Sequence, residues 1–311
     1  MAMNDWMSAL DDDKKLTNIV MPGSHDATIF VDPNEPETHK VLLITTRLAS
    51  EGTTVCQDRS IYKQCLAGSR FFDIRLKLYD GVVRGYHTPA DWSNLGAFGD
   101  EAESILDDVN KFLTENSREF VILRISHTSM DSGIVGIISG HPIFDKVYKN
   151  VYAQNVVTLP ISDLRGKVIC IFDEKEFSSV LNPSRGVLSF SKFKEKNIIT
   201  RGIVTCGEYS NESAIRNVIE KQIERTNEHK NHEKMFHIFV FYWTQTGGNI
   251  EEHTKKLMKI KAQASGGTHD NTDHMCSKLK YEHSQNMPSV IMYDFVNSET
   301  SEKIVNLNSF P

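Results

Sequence analysis

Residues 70–76 read Arg-Phe-Phe-Asp-Ile-Arg-Leu, an apolar run broken by charge at Asp73 and Arg75. Alternate residues of a β-strand face the same side, so Asp73 and Arg75 share one face and Phe72, Ile74 and Leu76 the other. Removing even a neutral polar group from water without a partner costs on the order of 2 to 7 kcal/mol. An Asp-x-Arg pair on the inner face of a sheet is therefore either a satisfied core ion pair or part of a site.

Working outward, period-two and fully apolar runs predict eight strands, at 17–21, 70–76, 82–87, 120–127, 167–173, 202–206, 237–244 and 289–296. Amphipathic helices separate several of them: Ile105, Val109, Phe112 and Leu113 fall on one face, as do Ile215, Val218, Ile219 and Ile223. Strands alternating with helices imply a parallel sheet, and eight of them predict a closed, distorted (β/α)8 barrel of the α/β class, one domain over 1–311. The stretches 177–197 and 263–286 show no clear period and read as long surface loops.

A chain of 311 residues with 39% hydrophobic and 24% charged residues can build a sizeable core. The net charge of −6 argues against a nucleic-acid partner, which needs an excess of clustered Lys and Arg. No apolar run approaches the roughly 20 residues of a transmembrane segment. Met1 to Leu10 carries Asp5 and Trp6 in place of a basic flank and apolar stretch, which predicts synthesis in a cytoplasm without a Sec-type leader. Contact with a membrane would then be peripheral, and delivery outside the cell would need another export route. Five scattered cysteines without a CxxC read as reduced thiols.

Barrel enzymes carry their sites at the C-terminal ends of the strands. There the sequence places Pro22-Gly23-Ser24-His25-Asp26, then Asp73 and Arg75, His87, Ser126-His127 and Asp294. Two histidines and an arginine suit phosphodiester cleavage by an internal hydroxyl. A neutral imidazole removes the hydroxyl proton, a charged one protonates the leaving oxygen, and the guanidinium clamps the phosphate. Asp26 and Asp294 are available to orient the imidazoles, and without a metal Arg75 must supply the charge at phosphorus. Arg124 shares a face with Ser126 one step deeper, where it either pairs with Asp73 or contacts the phosphate. Tyr242-Trp243 reads as a sugar platform or core packing. Trp92, Leu95 and Phe98, in a stretch read as a loop, either enter a lipid interface or pack on the rim. Neither His232-Glu233 with His237 nor His269, His274 and Cys276 is read as a metal site, so no metal or cofactor is predicted.

Taken together, Trp6-Met7-Ser8, Met21-Pro22-Gly23-Ser24-His25-Asp26, Gly68 to Arg75, Tyr86-His87, Phe120 to Leu123, Leu164 to Val168 and Met292 to Asn297 resemble the X domain of phosphatidylinositol-specific phospholipases C. The resemblance is to the metal-independent bacterial branch or to X-domain-containing proteins: Asp26, Arg75 and Ser126 are not the calcium set of the eukaryotic enzymes. It implies cleavage of phosphatidylinositol-type lipids at a membrane surface to diacylglycerol and an inositol 1,2-cyclic phosphate. His25 would be the base, oriented by Asp294, and His87 the acid, oriented by Asp26, with Arg75 on the phosphate. Asp73, Arg124, Ser126, His127, Glu208, Tyr209 and Trp243 would contact the substrate. The chain departs from bacterial members at Ser126, where they commonly carry Lys, and at Gly207, where they carry Asp two residues before the Tyr that stacks on inositol. The same barrel acting on a glycerophosphodiester or sphingolipid, and a weakly active inositol-lipid-binding module, are the alternatives.

Overall fold

A computed structural model of the chain describes residues 2–34, 42–44, 54–87, 96–128, 131–152, 155–192, 203–229, 237–245, 271–282 and 287–308. Its strands are β1 (Met21–Ser24), β2 (Leu42–Ile44), β3 (Phe71–Tyr79), β4 (Val82–His87), β5 (Gly96–Glu101), β6 (Val121–Ser126), β7 (Val168–Asp173), β8 (Leu188–Lys192), β9 (Ile203–Cys206), β10 (His237–Trp243) and β11 (Val290–Tyr293). The helices are α1 (Ile61–Leu66), α2 (Ala102–Glu115), α3 (Asp131–Gly140), α4 (Ile215–His229), α5 (Thr272–Glu282) and α6 (Ser298–Val305). Eight strands pair in parallel in the order β1-β3-β6-β7-β8-β9-β10-β11 and back to β1. The closing seam is short, joining β1 to β3 only at Gly23↔Phe71 and Ser24↔Phe72. Outside the ring β3, β4, β5 and β2 continue as an antiparallel flap.

The expected barrel is present with one strand exchanged. The 82–87 strand belongs to the flap, as a hairpin with β3, and β8 takes its place in the ring from within a stretch read as loop. The alternation in β8 is Leu188 and Phe190 inward with Ser189 and Ser191 outward, and even the serines are buried. No α-helix lies between β7 and β8, so the strand has neither an apolar outer face nor a neighbouring helix to announce it. The first strand is Met21–Ser24; the residues expected to begin it, Thr17 and Asn18, lie in a 3-10 turn (Leu16–Asn18) instead. Of the second supposed loop, 272–282 is α5.

Parity is obeyed around the ring. Phe72, Ile74 and Leu76 face outward against Val109 and Phe112 of α2. Phe71, Ile122, Ile169, Leu188, Ile238 and Val290 fill the interior and merge with Trp6, Met7, Val156 and Ile161, which plug the N-terminal end. One end of the barrel is thus sealed by apolar packing, and polar side chains collect at the other.

Candidate active site

Three inward-facing site residues are each followed or preceded by an abrupt turn of the chain. Asp26, His127 and Phe295 have φ of 40°, 56° and 53°, in the left-handed region, directly after His25, Ser126 and Asp294. Such backbone costs of order 1 to 3 kcal/mol per residue and concentrates at functional sites. All three lie at the C-terminal mouth of the barrel.

His25 Nδ1 is 2.7 Å from Asp294 Oδ1, and its Nε2 is 3.3 Å from Asp26 Oδ2. The same Asp26 oxygen is 3.4 Å from His87 Nε2. Asp26 thus bridges both imidazoles at their inner nitrogens. His87 is oriented by a different group from the one expected: its Nδ1 lies 2.9 Å from the Thr54 carbonyl, which can only accept, so Nδ1 carries the hydrogen and Nε2 is left for proton transfer. Arg75 reaches into the cluster from β3. Its Nε is 2.7 Å from Asp26 Oδ1 but off the hydrogen-bond line, and its Nη2 donates to Asp73 Oδ2 and to the Tyr209 hydroxyl, both at 3.2 Å. The Tyr209 ring stands edge-on to His25 at 5.3 Å.

Arg124 is buried one step below. Nη1 donates to the Tyr242 hydroxyl at 3.0 Å, the guanidinium lies over Phe190 at 4.9 Å, and Asp73 Oδ1 is 3.9 Å away. The expected pairing with Asp73 is therefore a loose charge contact, and Tyr242 is the closer partner. Ser126 is buried beside Arg75 in register, its hydroxyl 2.9 Å from Nδ1 of His127, which stands exposed on the mouth.

Two expected substrate contacts are not brought to this cluster. Trp243 points outward, fully buried, with its indole N–H donating to Thr272 on α5. The parity of β10 puts Tyr242 inside in its place, against Tyr209 at a ring distance of 4.1 Å. Glu208 is exposed and faces Arg225 of α4 at 3.8 Å. Of its two readings Phe98 takes the packed one, on a strand rather than in a loop. It lies on β5, 2% exposed, packed between Tyr79 and Tyr86, and has no surface to offer a membrane; Trp92 and Leu95 lie outside the described residues.

Sequence reading missed the segment 54–57, which wedges between the ends of β1 and β11. Gln57 donates to the His25 carbonyl at 2.8 Å and accepts from Val296 N–H at 3.0 Å, holding His25 and Asp294 side by side. Cys56 lies 3.8 Å from Asp26 and 3.9 Å from His87. No local pattern marks these residues, whose importance comes from contacts 30 or more positions away in the chain.

The charges are strongly coupled. Burial pushes the His25 imidazolium down, but Asp26, Asp294 and the Asp294 hydrogen bond outweigh it and raise His25 to about 9. For His87 burial wins over Asp26, with Arg75 adding to it, and its pKa falls below the ordinary value. Asp26 is held far below the usual carboxylate range: burial opposes this, but Arg75, His87 and His25 prevail. Burial, then Asp26 and Asp294, pushes the Cys56 thiol well up. These directions favour a charged His25 and a neutral His87 near neutral pH.

Among the described residues, the sets with metal-ligand spacing are His25, Cys56 and Asp294; Asp26, Cys56 and His87; and His25, Asp26 and Asp73. All belong to this one cluster, and the guanidinium of Arg75 already lies against Asp26 and Asp73. His274 is exposed and Cys276 buried on α5, and the five cysteines are free.

No protein-family model matches the chain. It is 29% identical over 177 residues to a PI-PLC X-box domain-containing protein of Dictyostelium discoideum, covering 52% of this chain and 21% of that one. It is 30% identical over 172 residues to a 1-phosphatidylinositol phosphodiesterase of Listeria monocytogenes, covering 53% and 47%, and 30% identical over 142 residues to mouse PI-PLC X domain-containing protein 3, covering 40% and 41%. The matches thus span about half or less of these relatives. Among solved structures, the phosphatidylinositol-specific phospholipase C of Listeria monocytogenes superposes with a TM-score of 0.68 at 19% identity over 100% of both chains. That of Staphylococcus aureus gives 0.67 at 17% identity over 99% and 98%. The chain has the barrel fold of the bacterial phosphatidylinositol-specific phospholipases C, and in sequence it resembles proteins of the PI-PLC X-domain family.

Proposed function

We propose that the chain is a metal-independent phosphatidylinositol-specific phospholipase C acting peripherally on a membrane surface. The observation that carries this reading is the convergence of His25, His87 and Arg75 on one carboxylate, Asp26, at the barrel mouth. Among the described residues no helix is long and apolar enough to cross a membrane. Curated relatives with sequence similarity are named phosphatidylinositol phosphodiesterases, which supports the substrate class.

In this mechanism the inositol 2-hydroxyl attacks phosphorus. His25 takes its proton, the new ring O–P bond forms, the bond to the diacylglycerol oxygen breaks, and His87 protonates that oxygen. The products are diacylglycerol and a 1,2-cyclic phosphate. Arg75 presents Nη1, which has no partner among the described residues, to the phosphate oxygens. Preorganised charge of this kind is commonly the largest single contribution to catalysis.

The roles require a neutral His25 and a charged His87, the reverse of the resting state. The entering phosphodiester anion stabilises the imidazolium of His87, and Asp26 Oδ2, which touches both Nε2 atoms, connects the two. The attacking complex is then the minor protonation state of the pair. Release of diacylglycerol from phosphatidylinositol vesicles tests the proposal. Turnover unaffected by chelator is expected; loss of turnover in chelator would assign the charge at phosphorus to a metal, and its absence under all conditions would leave only a binding module.

A further inference from the structure

One thiol at the site has no part in the catalytic reading. Cys56 is fully buried at the mouth of the barrel, its Sγ 3.8 Å from Asp26 Oδ2 and 3.9 Å from the His87 ring at Nδ1. Asp26 Oδ2 is in turn 3.4 Å from His87 Nε2. Cys56, His87 and Asp26 each bring a donor atom within 4.8 Å of the other two. Around a tetrahedral zinc ion, with bonds of roughly 2.0 to 2.2 Å to nitrogen or oxygen and about 2.3 Å to sulfur, neighbouring ligand atoms stand about 3.4 to 3.6 Å apart. Both spacings to Asp26 Oδ2 lie close to that range.

The surroundings hold these donors as the outer partners of a metal site would. His87 Nδ1 is committed to the Thr54 carbonyl at 2.9 Å, which leaves the lone pair on Nε2, the atom beside Asp26. A ligating histidine is commonly oriented in this way through its other ring nitrogen. Arg75 lies against Asp26 Oδ1 and leaves Oδ2 to the pocket. A thiolate and a carboxylate together carry two negative charges. A divalent cation is therefore neutralised by its own ligands and does not confront the guanidinium with a net positive charge. His25 Nε2, 3.3 Å from the same oxygen, is placed to take the fourth position once its proton has left. Thiolate and imidazole together favour zinc-like cations, whereas magnesium and calcium prefer oxygen ligands.

We infer that Cys56, His87 and Asp26 form an inhibitory site for a thiophilic divalent cation of the zinc type. As the metal–sulfur bond forms, the thiol proton passes to solvent. The metal takes the Nε2 lone pair of His87, which can then no longer carry the proton for the leaving oxygen. The inhibition rests on the phospholipase reading above; the binding does not.

The test titrates a zinc-free preparation of the chain with zinc while diacylglycerol release from phosphatidylinositol vesicles is followed. Zinc should stop turnover, chelator should restore it, and equal magnesium or calcium should leave it unchanged. Cys56→Ser, measured against its own zinc-free rate, should need about 100-fold more zinc, since losing even an outer partner of a metal site costs roughly 10- to 100-fold in affinity. Divalent cobalt supplies a readout that needs no activity. Bound at Cys56 it should give a near-ultraviolet thiolate-to-cobalt charge-transfer band that Cys56→Ser lacks. Cys65, Cys170, Cys206 and Cys276 belong to no set with metal-ligand spacing among the described residues, so the band reports Cys56. No band in the wild-type chain, or inhibition of Cys56→Ser at the same zinc concentration, would overturn the inference; if the serine variant does not fold, the wild-type band decides alone. A band without turnover of phosphatidylinositol under any condition would leave the metal site standing and overturn the phospholipase reading, and turnover without a band would do the reverse.

Discussion

Arg70, just before β3, and Arg75, where β3 leaves the barrel beside the last residue of β6, carry the same chemistry put to opposite uses. At the sealed end, Arg70 is 0% exposed and every N–H is used: Nε donates to Glu119 at 2.7 Å, Nη1 to the carbonyls of Cys65 and Ser69, and Nη2 to those of Met3 and Asn4. Phe112 and Trp6 flank it at 4.5 and 5.9 Å. At the open end, Arg75 is 15% exposed, its Nε contact with Asp26 is misaligned, and Nη1 has no partner among the described residues. Burial and a carboxylate partner are common to both. What separates the structural arginine from the one proposed to bind phosphate is donor saturation.

That contrast can be broken most severely by truncating each end. Arg75→Ala should lower kcat by about 10³-fold or more, since it removes preorganised charge at the phosphate, and should cost less stability than Arg70→Ala, because His25, His87 and Arg124 remain beside the buried carboxylates Asp26 and Asp73 that it pairs with. Arg75→Lys should recover little, because a point ammonium cannot reproduce a planar two-point contact. Arg70→Ala should do the reverse, losing roughly 3 to 5 kcal/mol of stability by stranding buried Glu119. Equal stability losses in denaturant melts of the two variants would erase the distinction.

The histidines sharpen the account of the open end. Alanine at either should reduce turnover about 10²- to 10⁴-fold in a folded protein. A substrate with an activated leaving group separates their roles: it should restore much of the activity of His87→Ala and none of His25→Ala. The opposite rescue would make His25 the acid, in line with the resting charge.

A smaller effect is expected on the pH profile. The singly protonated pair prevails between the lowered pKa of His87 and about 9 for His25, so the rate should fall on both sides of that window. Asp294 raises His25, so Asp294→Asn should move the alkaline limb down toward the ordinary imidazole value of about 6.5. The raised His25 also stabilises the fold below that ordinary value, and this contribution is lost as pH climbs through about 9. An unmoved alkaline limb would mean that another group sets it. At the flap, Phe98→Ser should lower thermal stability while leaving vesicle binding by the folded fraction unchanged.

Strand parity made the inner face of β3 legible from sequence, and with it Asp73 and Arg75. It placed Arg124 inside the barrel. His25 and Asp294 were legible because short apolar runs end on them. Elsewhere the signals were mixed. β4 alternates like a barrel strand because it packs one face on the flap, while β8 presents buried serines where an apolar face was sought. Trp243 and Tyr242 are adjacent and aromatic, and only the register of β10 against β11 decides which enters the barrel. Gln57 and Thr54 carried no local signal, because Gln57 holds the backbone of a distant segment and Thr54 acts through its own carbonyl on a distant side chain.

Phosphorus NMR of the purified chain with phosphatidylinositol vesicles in the presence of chelator tests the central claim most directly. The account predicts early appearance of an inositol 1,2-cyclic phosphate at a rate independent of chelator. Acyclic inositol phosphate as the first product, or no cyclic product until a metal is supplied, would contradict it.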